Sequence, residues 1–279
     1  MPIAVVTDST ACLPAALVRE RAITVVPLTV VLDGVPRREG VDVDTEEVAR
    51  AMVARRVAVT TSRPSPAEFS AVYDRLLAGG ADGVVSVHLS AKLSGTYESA
   101  VLAAADHPGR VLVVDSLSTG MGLGFVALHA AGGDVGAARD AALAAVARTT
   151  TLFYVDTLEH LRRGGRIGAA SALLGTALSV KPILRMVDGE IVVQDKVRTA
   201  TRALGRLVDL AVDAAGESEV DIAVHHLAAS ARATELVEAL AERLGGRMRD
   251  CYQTEIGGDV GAHVGPGLAS IVVHRTSTG

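Results

Sequence analysis

A chain of 279 residues, 49% apolar and 21% charged, is long enough for one large or two modest cores and too apolar for wholesale disorder. The formal net charge of −5 argues against a polyanion partner held by bulk charge, because nucleic-acid binding rests on clustered Lys and Arg. With no Trp, three Phe and four Tyr, the core must be built from Ala, Val and Leu, leaving few aromatic faces on which bases or flavins could stack.

In chain order, short β-branched runs at residues 3–7, 58–60, 83–87 and 111–115 read as buried strands. Ala/Leu-rich segments at 13–21, 45–55, 66–77, 96–105 and 121–131 carry helical periodicity between and after them. Strands alternating with helices of this length predict a mainly parallel sheet with helices on both faces, an α/β/α arrangement in three layers. Residues 23–38 break the alternation with two β-rich pieces around Pro27 and an Asp33-Gly34 turn, which predicts a small antiparallel flap. A helix over 135–147 leads to polar Thr149 and Thr150, and there the pattern changes. A strand at 151–155, helices at 158–163 and 168–178, and a hairpin of 181–186 and 190–195 around Asp188-Gly189 follow. Helices at 199–215 and 229–244 flank a strand at 221–225, and strands at 248–252 and 270–274 close the chain. This second half reads as an α+β domain with a mixed sheet. The boundary falls near residue 150, giving domains 1–150 and 151–279 joined without a Pro- or Ser-rich linker, in firm contact across a cleft.

Cys12 and Cys251 form no metal spacing or redox pair, and the start of the chain has no basic segment followed by an apolar one. Both features suit a reducing cytoplasm. No apolar run approaches the roughly 18 residues of a membrane span. Phosphate loops of the G-x-x-x-x-G-K-[ST] type, G-x-S-x-G elbows, H-E-x-x-H and C-x-x-C are absent from the sequence. Gly120, Gly122 and Gly124 imitate a dinucleotide fingerprint, but its third glycine would fall on Phe125, so close helix–sheet packing explains them better.

What remains is a set of hydroxyl-rich turns where strands should end: Thr7-Asp8-Ser9-Thr10, Thr60-Thr61-Ser62-Arg63-Pro64-Ser65-Pro66, Leu93-Ser94-Gly95-Thr96-Tyr97 and Asp115-Ser116. Any one is an ordinary helix cap, but four on one edge of a parallel sheet mark the place where such sheets bind ligands. Gly95 lets a ligand approach the backbone, and the helix that follows aims free N–H groups at it, so a carboxylate or a phosphate would fit. The second half adds Arg162, Arg163 and Arg166 around Gly164-Gly165, Lys196 and Arg198, and His263 within a Gly/Pro-rich stretch. The arginines read equally well as a solvated face.

Taken in order, these motifs resemble the DegV family of bacterial fatty-acid-binding proteins over nearly the whole chain. The marks are Thr7-Asp8-Ser9-Thr10, Thr61-Ser62-x-Pro64-Ser65-Pro66, Leu93-Ser94-Gly95-Thr96-Tyr97-x-Ser99-Ala100, Asp115-Ser116 with Met121-Gly122-Leu123-Gly124, Gly164-Gly165-Arg166-Ile167, Lys181-Pro182-Ile183 and His263-x-Gly265-Pro266-Gly267. Arg63 stands where Gln is usual, and Gly120 where Ser is common. The resemblance implies two α/β domains with a long-chain fatty acid such as palmitate between them, its carboxylate held by Thr61 and Ser94. Ser62, Gly95, Thr96, Asp115, Ser116, Arg166, Arg198 and His263 would support that pocket. It further implies a carrier without catalysis, metal or cofactor of its own, serving as the acyl-presenting subunit for a separate fatty acid kinase, with room for peripheral membrane contact. Physics agrees: about 0.8 kcal/mol per buried methylene gives a sixteen-carbon tail on the order of 10 kcal/mol before ordering costs. Two rival readings are an acyl hydrolase or transferase using Ser94 with His263 as base, and a triose- or sugar-binding kinase subunit, which would need a polar pocket.

Overall fold

Branched residues in Ile-Ala-Val-Val-Thr-Asp favour an extended chain, and they form β1 (Ile3–Asp8) at the interior of a parallel sheet. The computed structural model describes residues 3–54, 59–173 and 180–276. Parts of the expected helices at 45–55 and 168–178, and the first residue of the expected strand at 58–60, lie outside those residues.

After β1 come α1 (Ala15–Glu20), β2 (Thr24–Val26), β3 (Thr29–Leu32), β4 (Val35–Arg38), α2 (Thr45–Val53), β5 (Val59–Ser62), α3 (Pro66–Ala78), β6 (Gly83–His88), α4 (Thr96–Ala104), β7 (Val111–Asp115), α5 (Met121–Leu128) and α6 (Val135–Arg148). Strands β2-β1-β6-β7 make a four-stranded sheet, parallel throughout. Side chains alternate across it. Val84 on β6 packs with Phe69 and Tyr73 of α3 and Ala100 of α4, while Val85 and Val87 pack with Leu123 and Val126 of α5 and with α6. That is the three-layer arrangement expected. Helix α3 begins on a capping box in which Ser65 Oγ accepts the Glu68 N–H and Glu68 answers on the Ser65 N–H, with Pro66 at its first position.

The second half runs β8 (Thr149–Tyr154), α7 (Glu159–Arg163), a 3-10 turn at Gly168–Leu173, β9 (Lys181–Val187), β10 (Glu190–Val197), α8 (Ala200–Ala215), β11 (Val220–His226), α9 (Ser230–Leu244), β12 (Met248–Glu255), α10 (Gly258–Val264) and β13 (Ala269–Arg275). Its sheet has the order β10-β9-β8-β13-β11-β12, parallel only between β11 and β12. Alternation again sorts the faces. Leu152, Tyr154, Ile222, Val224, Ile271 and Val273 face the amphipathic helices α8 and α9. Ala223 and Val272 face Met121 and Phe125 of α5 instead. Helix α5 is therefore clamped between the two sheets, which is why its sequence is apolar all round. Its glycines do the packing: a Cβ at Gly122 would run into the hydroxyls of Ser118 and Thr151, and one at Gly124 would lie 2.8 Å from the Ala11 carbonyl oxygen.

The flap differs in membership from the expectation. Strand β2 pairs in parallel with β1 at the sheet edge, and the flap is β4-β3-β5, antiparallel, with β5 drawn in from the parallel sheet where sequence had put it. Pro27 has no N–H to continue β2, so the chain turns out of the sheet there. Strand β5, Val-Thr-Thr-Ser, alternates between half-buried and exposed, as suits a flap with one wet face rather than the interior of a parallel sheet. Both Asp-Gly turns are as expected, with positive φ at Asp33 and Gly34 and at Asp188 and Gly189.

The first hydroxyl-rich turn serves the fold. Asp8 Oδ1 accepts the Thr10 N–H (3.1 Å) and hydroxyl (2.5 Å), and Oδ2 accepts from His88 Nδ1 (2.9 Å) and the Leu89 N–H (3.1 Å). His88 Nε2 meets Ser86 Oγ at 2.7 Å, and Tyr73 donates to the same Ser86 oxygen at 2.8 Å. Each member of this chain is buried, and each finds a partner, as buried polar groups must.

Candidate functional site

On the face of the larger sheet that α8 and α9 leave free, a cavity opens between β8–β10, helices α7 and α10, the flap and the ends of the parallel strands. It holds about 790 Å³ of unfilled space, its open mouth included. Its walls are mainly aliphatic: Leu28, Leu89 and Leu93 from the first half, with Leu161, Ile191 and Val264 among those from the second. Phe153 points into it because Leu152 and Tyr154, its neighbours on β8, point to the helices.

The polar side chains at the cavity form separate hydrogen-bonded groups. Thr61 Oγ1 lies 3.0 Å from His263 Nε2, joining the flap to α10. Arg166 donates from Nε to the Leu93 carbonyl at 2.9 Å and from Nη1 to the Gly164 carbonyl, which brings its guanidinium beside Ser94. Ser94 Oγ accepts the Thr96 N–H at 3.4 Å and lies 3.0 Å from Thr96 Oγ1, at the start of α4. Burial, and after it the Arg166 charge, lowers His263 to about 4, so its imidazole is neutral at neutral pH. A Cβ at Gly164 would strike His263 Nδ1, so the glycine makes room for the ring.

Thr61, Ser94, Arg166 and His263 all border the cavity. The other expected residues do not. Ser62 points away from Thr61 along the strand and is exposed. Thr96 is wholly buried against Ser94. At Gly95 the open approach is taken: the Arg63 guanidinium occupies the place of the missing Cβ and donates to the Gly95 carbonyl at 3.4 Å. Asp115 caps two turns, accepting the Leu117 N–H at 2.8 Å and the Ala91 N–H at 3.3 Å, and burial raises its carboxyl above the ordinary range. Ser116 exchanges hydrogen bonds with Ser118 in the following turn. Arg198 is exposed just beyond β10. Arg162 and Arg163 are both paired with Glu159 on their own helix, at 2.7 and 2.8 Å, and form the solvated face.

His263 sits on α10 rather than in a loop. The helix is short and glycine-rich because it is pressed against α2, where a Cβ at Gly258 would lie 2.7 Å from Val48. The cavity also has polar residues that sequence reasoning gave no place in the pocket. His225, on the sheet face shared with Ala223, accepts the Met121 N–H at Nε2 (2.9 Å) and so donates from Nδ1 to Thr254 Oγ1 (2.8 Å). Thr10 and Ser270 border the cavity nearby, as does Asp259, an acid in an otherwise uncharged stretch.

The model of the DegV family, described as "Uncharacterised protein, DegV family", matches residues 2–276. The chain belongs to the DegV family. A DegV domain-containing protein of Streptomyces coelicolor is 51% identical over 276 residues, covering 97% of this chain and 98% of the relative. Among solved structures, a fatty-acid-binding DegV family protein of Thermus thermophilus has a TM-score of 0.91 at 34% identity, over 99% of this chain and 100% of its own. DegV of Bacillus subtilis, a fatty acid binding protein, has a TM-score of 0.88 at 31% identity, over 99% and 100%.

The buried histidines set a pH dependence that is independent of any ligand. Burial lowers His225 and His263 to about 4 and His274 to about 3, whereas in the unfolded chain each titrates near 6.5. Below that value the unfolded chain takes up protons the folded one refuses, so the stability these histidines contribute is fully present above about pH 6.5 and is lost on acidification. His225 alone contributes a loss of about 2 kcal/mol at about pH 5. Thermal unfolding followed by circular dichroism should show a midpoint that drops from about pH 7 to about pH 5, less so in His225→Gln. A midpoint flat over that range would contradict the assignment.

Proposed function

We propose that this protein binds one long-chain fatty acid, such as palmitate, between residues 1–150 and 151–279 taken as two domains, and presents it to a separate fatty acid kinase. The observation that carries the reading is the union of an aliphatic cavity with four polar side chains that border it, Thr61, Ser94, Arg166 and His263. The alkyl chain lies along Leu93, Leu161, Phe153 and Ile191, and the carboxylate meets Thr61 and Ser94. Their hydrogen bonding leaves them suited to the task. With His263 donating from Nε2 and Thr96 donating to Ser94, both hydroxyl protons are free to point at an acceptor. The Arg166 guanidinium beside them offsets the cost of bringing a negative charge out of water.

The fatty acid ligands of the Thermus and Bacillus relatives support the ligand class. The kinase partnership rests on the family resemblance, together with a sequence that has no phosphate loop of its own. Hydrolysis is the weaker reading. Ser94 is bonded to Thr96, and His263 to Thr61, so the serine–histidine pair it requires is not formed. A sugar or triose would leave its hydroxyls against leucine and isoleucine walls.

Native mass spectrometry of the purified protein tests the reading. A mass excess of one fatty acid per chain, released on denaturation, is expected. Protein without that excess, and without uptake of added palmitate, would rule the proposal out.

A further inference from the structure

Two buried carboxyl groups meet where the flap joins α10. Glu39 follows β4 and is 6% exposed; Asp259, on α10, is 3% exposed. Glu39 Oε1 accepts the N–H groups of Gly258 and Asp259 at the start of the helix. Asp259 Oδ2 accepts the Ser9 hydroxyl at 2.8 Å, and Ser9 Oγ in turn accepts the Leu28 N–H at 2.9 Å. Glu39 Oε1 and Asp259 Oδ1 lie 2.7 and 3.0 Å from one point, the place of a Cβ on Gly257, so the two buried carboxyl groups face each other across the turn into α10. Two carboxylates held side by side out of water repel, whereas one proton between them removes a charge and supplies the hydrogen that neither carboxylate has. Glu39 Oε2 is buried and has no hydrogen-bond partner among the described residues.

We infer that Glu39 and Asp259 share one proton, and that this proton latches the flap to α10 and so sets the rate at which a bound acid leaves the cavity. The inference rests on the fatty-acid reading for its ligand and on the two side chains for its mechanism. The same flap carries Thr61 on β5, and the same helix carries His263, so the pair positions the Thr61–His263 contact without touching the ligand head group. Asp259 itself borders the cavity, so the latch and the ligand share a wall.

Burial, then the Glu39 charge and its hydrogen bond, push the Asp259 carboxyl well above the usual carboxylate range. The neighbouring groups do not supply a counter-charge. Asp8, at the end of β1, adds to the upward push. Cys12, in the turn that follows, is itself pushed well up by burial and by Asp259 and stays a thiol. Glu255, at the end of β12, borders the recess beside Glu39 and is taken up by the Ala228 N–H (2.8 Å). From α2 the residues turned to α10 include Val48 and Met52, neither of them charged, and on α10 His263 is neutral above about 4.

The sign follows. With the flap closed the pair holds its proton; with the flap open Asp259 is solvated and ionises in the ordinary carboxylate range, giving its proton to water or buffer. Between those two values opening becomes easier as pH rises, by at most about tenfold per unit. Once the closed pair ionises, two adjacent negative charges repel and the dependence levels off.

The test is stopped-flow dissociation of a fluorescent fatty acid from the full chain between about pH 6 and about pH 9. The wild-type off-rate should climb with pH, and Asp259→Asn, whose amide donates to Glu39 without a titrating proton, should hold a low and flat rate. An equal slope in both proteins, or a flat wild type, overturns the latch while leaving fatty-acid binding intact; no binding by either overturns the fatty-acid reading instead. Infrared difference spectra of the ligand-free protein decide the shared proton by themselves. A protonated-carboxyl band at neutral pH that disappears in Asp259→Asn is expected, and its absence from the wild type overturns the inference.

Discussion

Gly122→Val is expected to cost the protein about 3 kcal/mol or more, a drop of about 10 °C in its thermal midpoint. Helix α5 lies between the two sheets with its residues buried from Met121 to Ala127, so no side of it can yield. A Cβ at Gly122 would collide with Ser118 Oγ and Thr151 Oγ1, short side chains that bond each other at 2.9 Å and have no flexible end to swing away. The valine would separate helix from sheet or break that bond and leave two buried hydroxyls unpaired. Gly133→Ala is the control, since none of the described residues lies within 4 Å of its Cβ position. Differential scanning calorimetry checks both; similar midpoints for the two variants would show that α5 is not clamped as described.

Much of this architecture was legible because its causes are local. The Asp33-Gly34 and Asp188-Gly189 turns were readable from two residues each, since few others adopt positive φ twice in succession. Helix α5 announced its burial by lacking a polar face. Membership of the flap was not legible, because whether Val59–Ser62 pairs with β3 or with a parallel neighbour is decided by long-range contacts. The polar site shows the same division. Thr61 and Ser94 stood in hydroxyl-rich turns after strands, whereas Asp115 and Ser116 stood in such a turn and hold up the backbone instead. Composition does not separate the two roles, because a capping hydroxyl and a ligand-binding one are the same group facing different neighbours. Asp259 had no motif at all. Its significance comes from Glu39, 220 positions away in the chain.

Loss of the two hydroxyls is the other large effect expected. Thr61→Ala with Ser94→Ala removes two hydrogen bonds to a charged acceptor, each worth about 1.5–3 kcal/mol, so affinity for palmitate should fall by at least roughly 100-fold. The fold should lose less, the larger part from Thr96 Oγ1, which is wholly buried and bonded to Ser94 Oγ at 3.0 Å. Thr61 is half-buried on the flap, and its lost bond to His263 is worth about 1 kcal/mol, a few degrees in the midpoint at most. The aliphatic walls remain, so binding should weaken rather than vanish.

Isothermal titration of delipidated wild type and of the double variant, each with palmitate and with its methyl ester, puts the carboxylate assignment to the test. The wild type should prefer the free acid strongly, because only the acid offers a charge to Thr61, Ser94 and Arg166, and the double variant should lose most of that preference while still taking up both ligands. A wild type that binds acid and ester equally, or a double variant that keeps the full preference, would contradict the site.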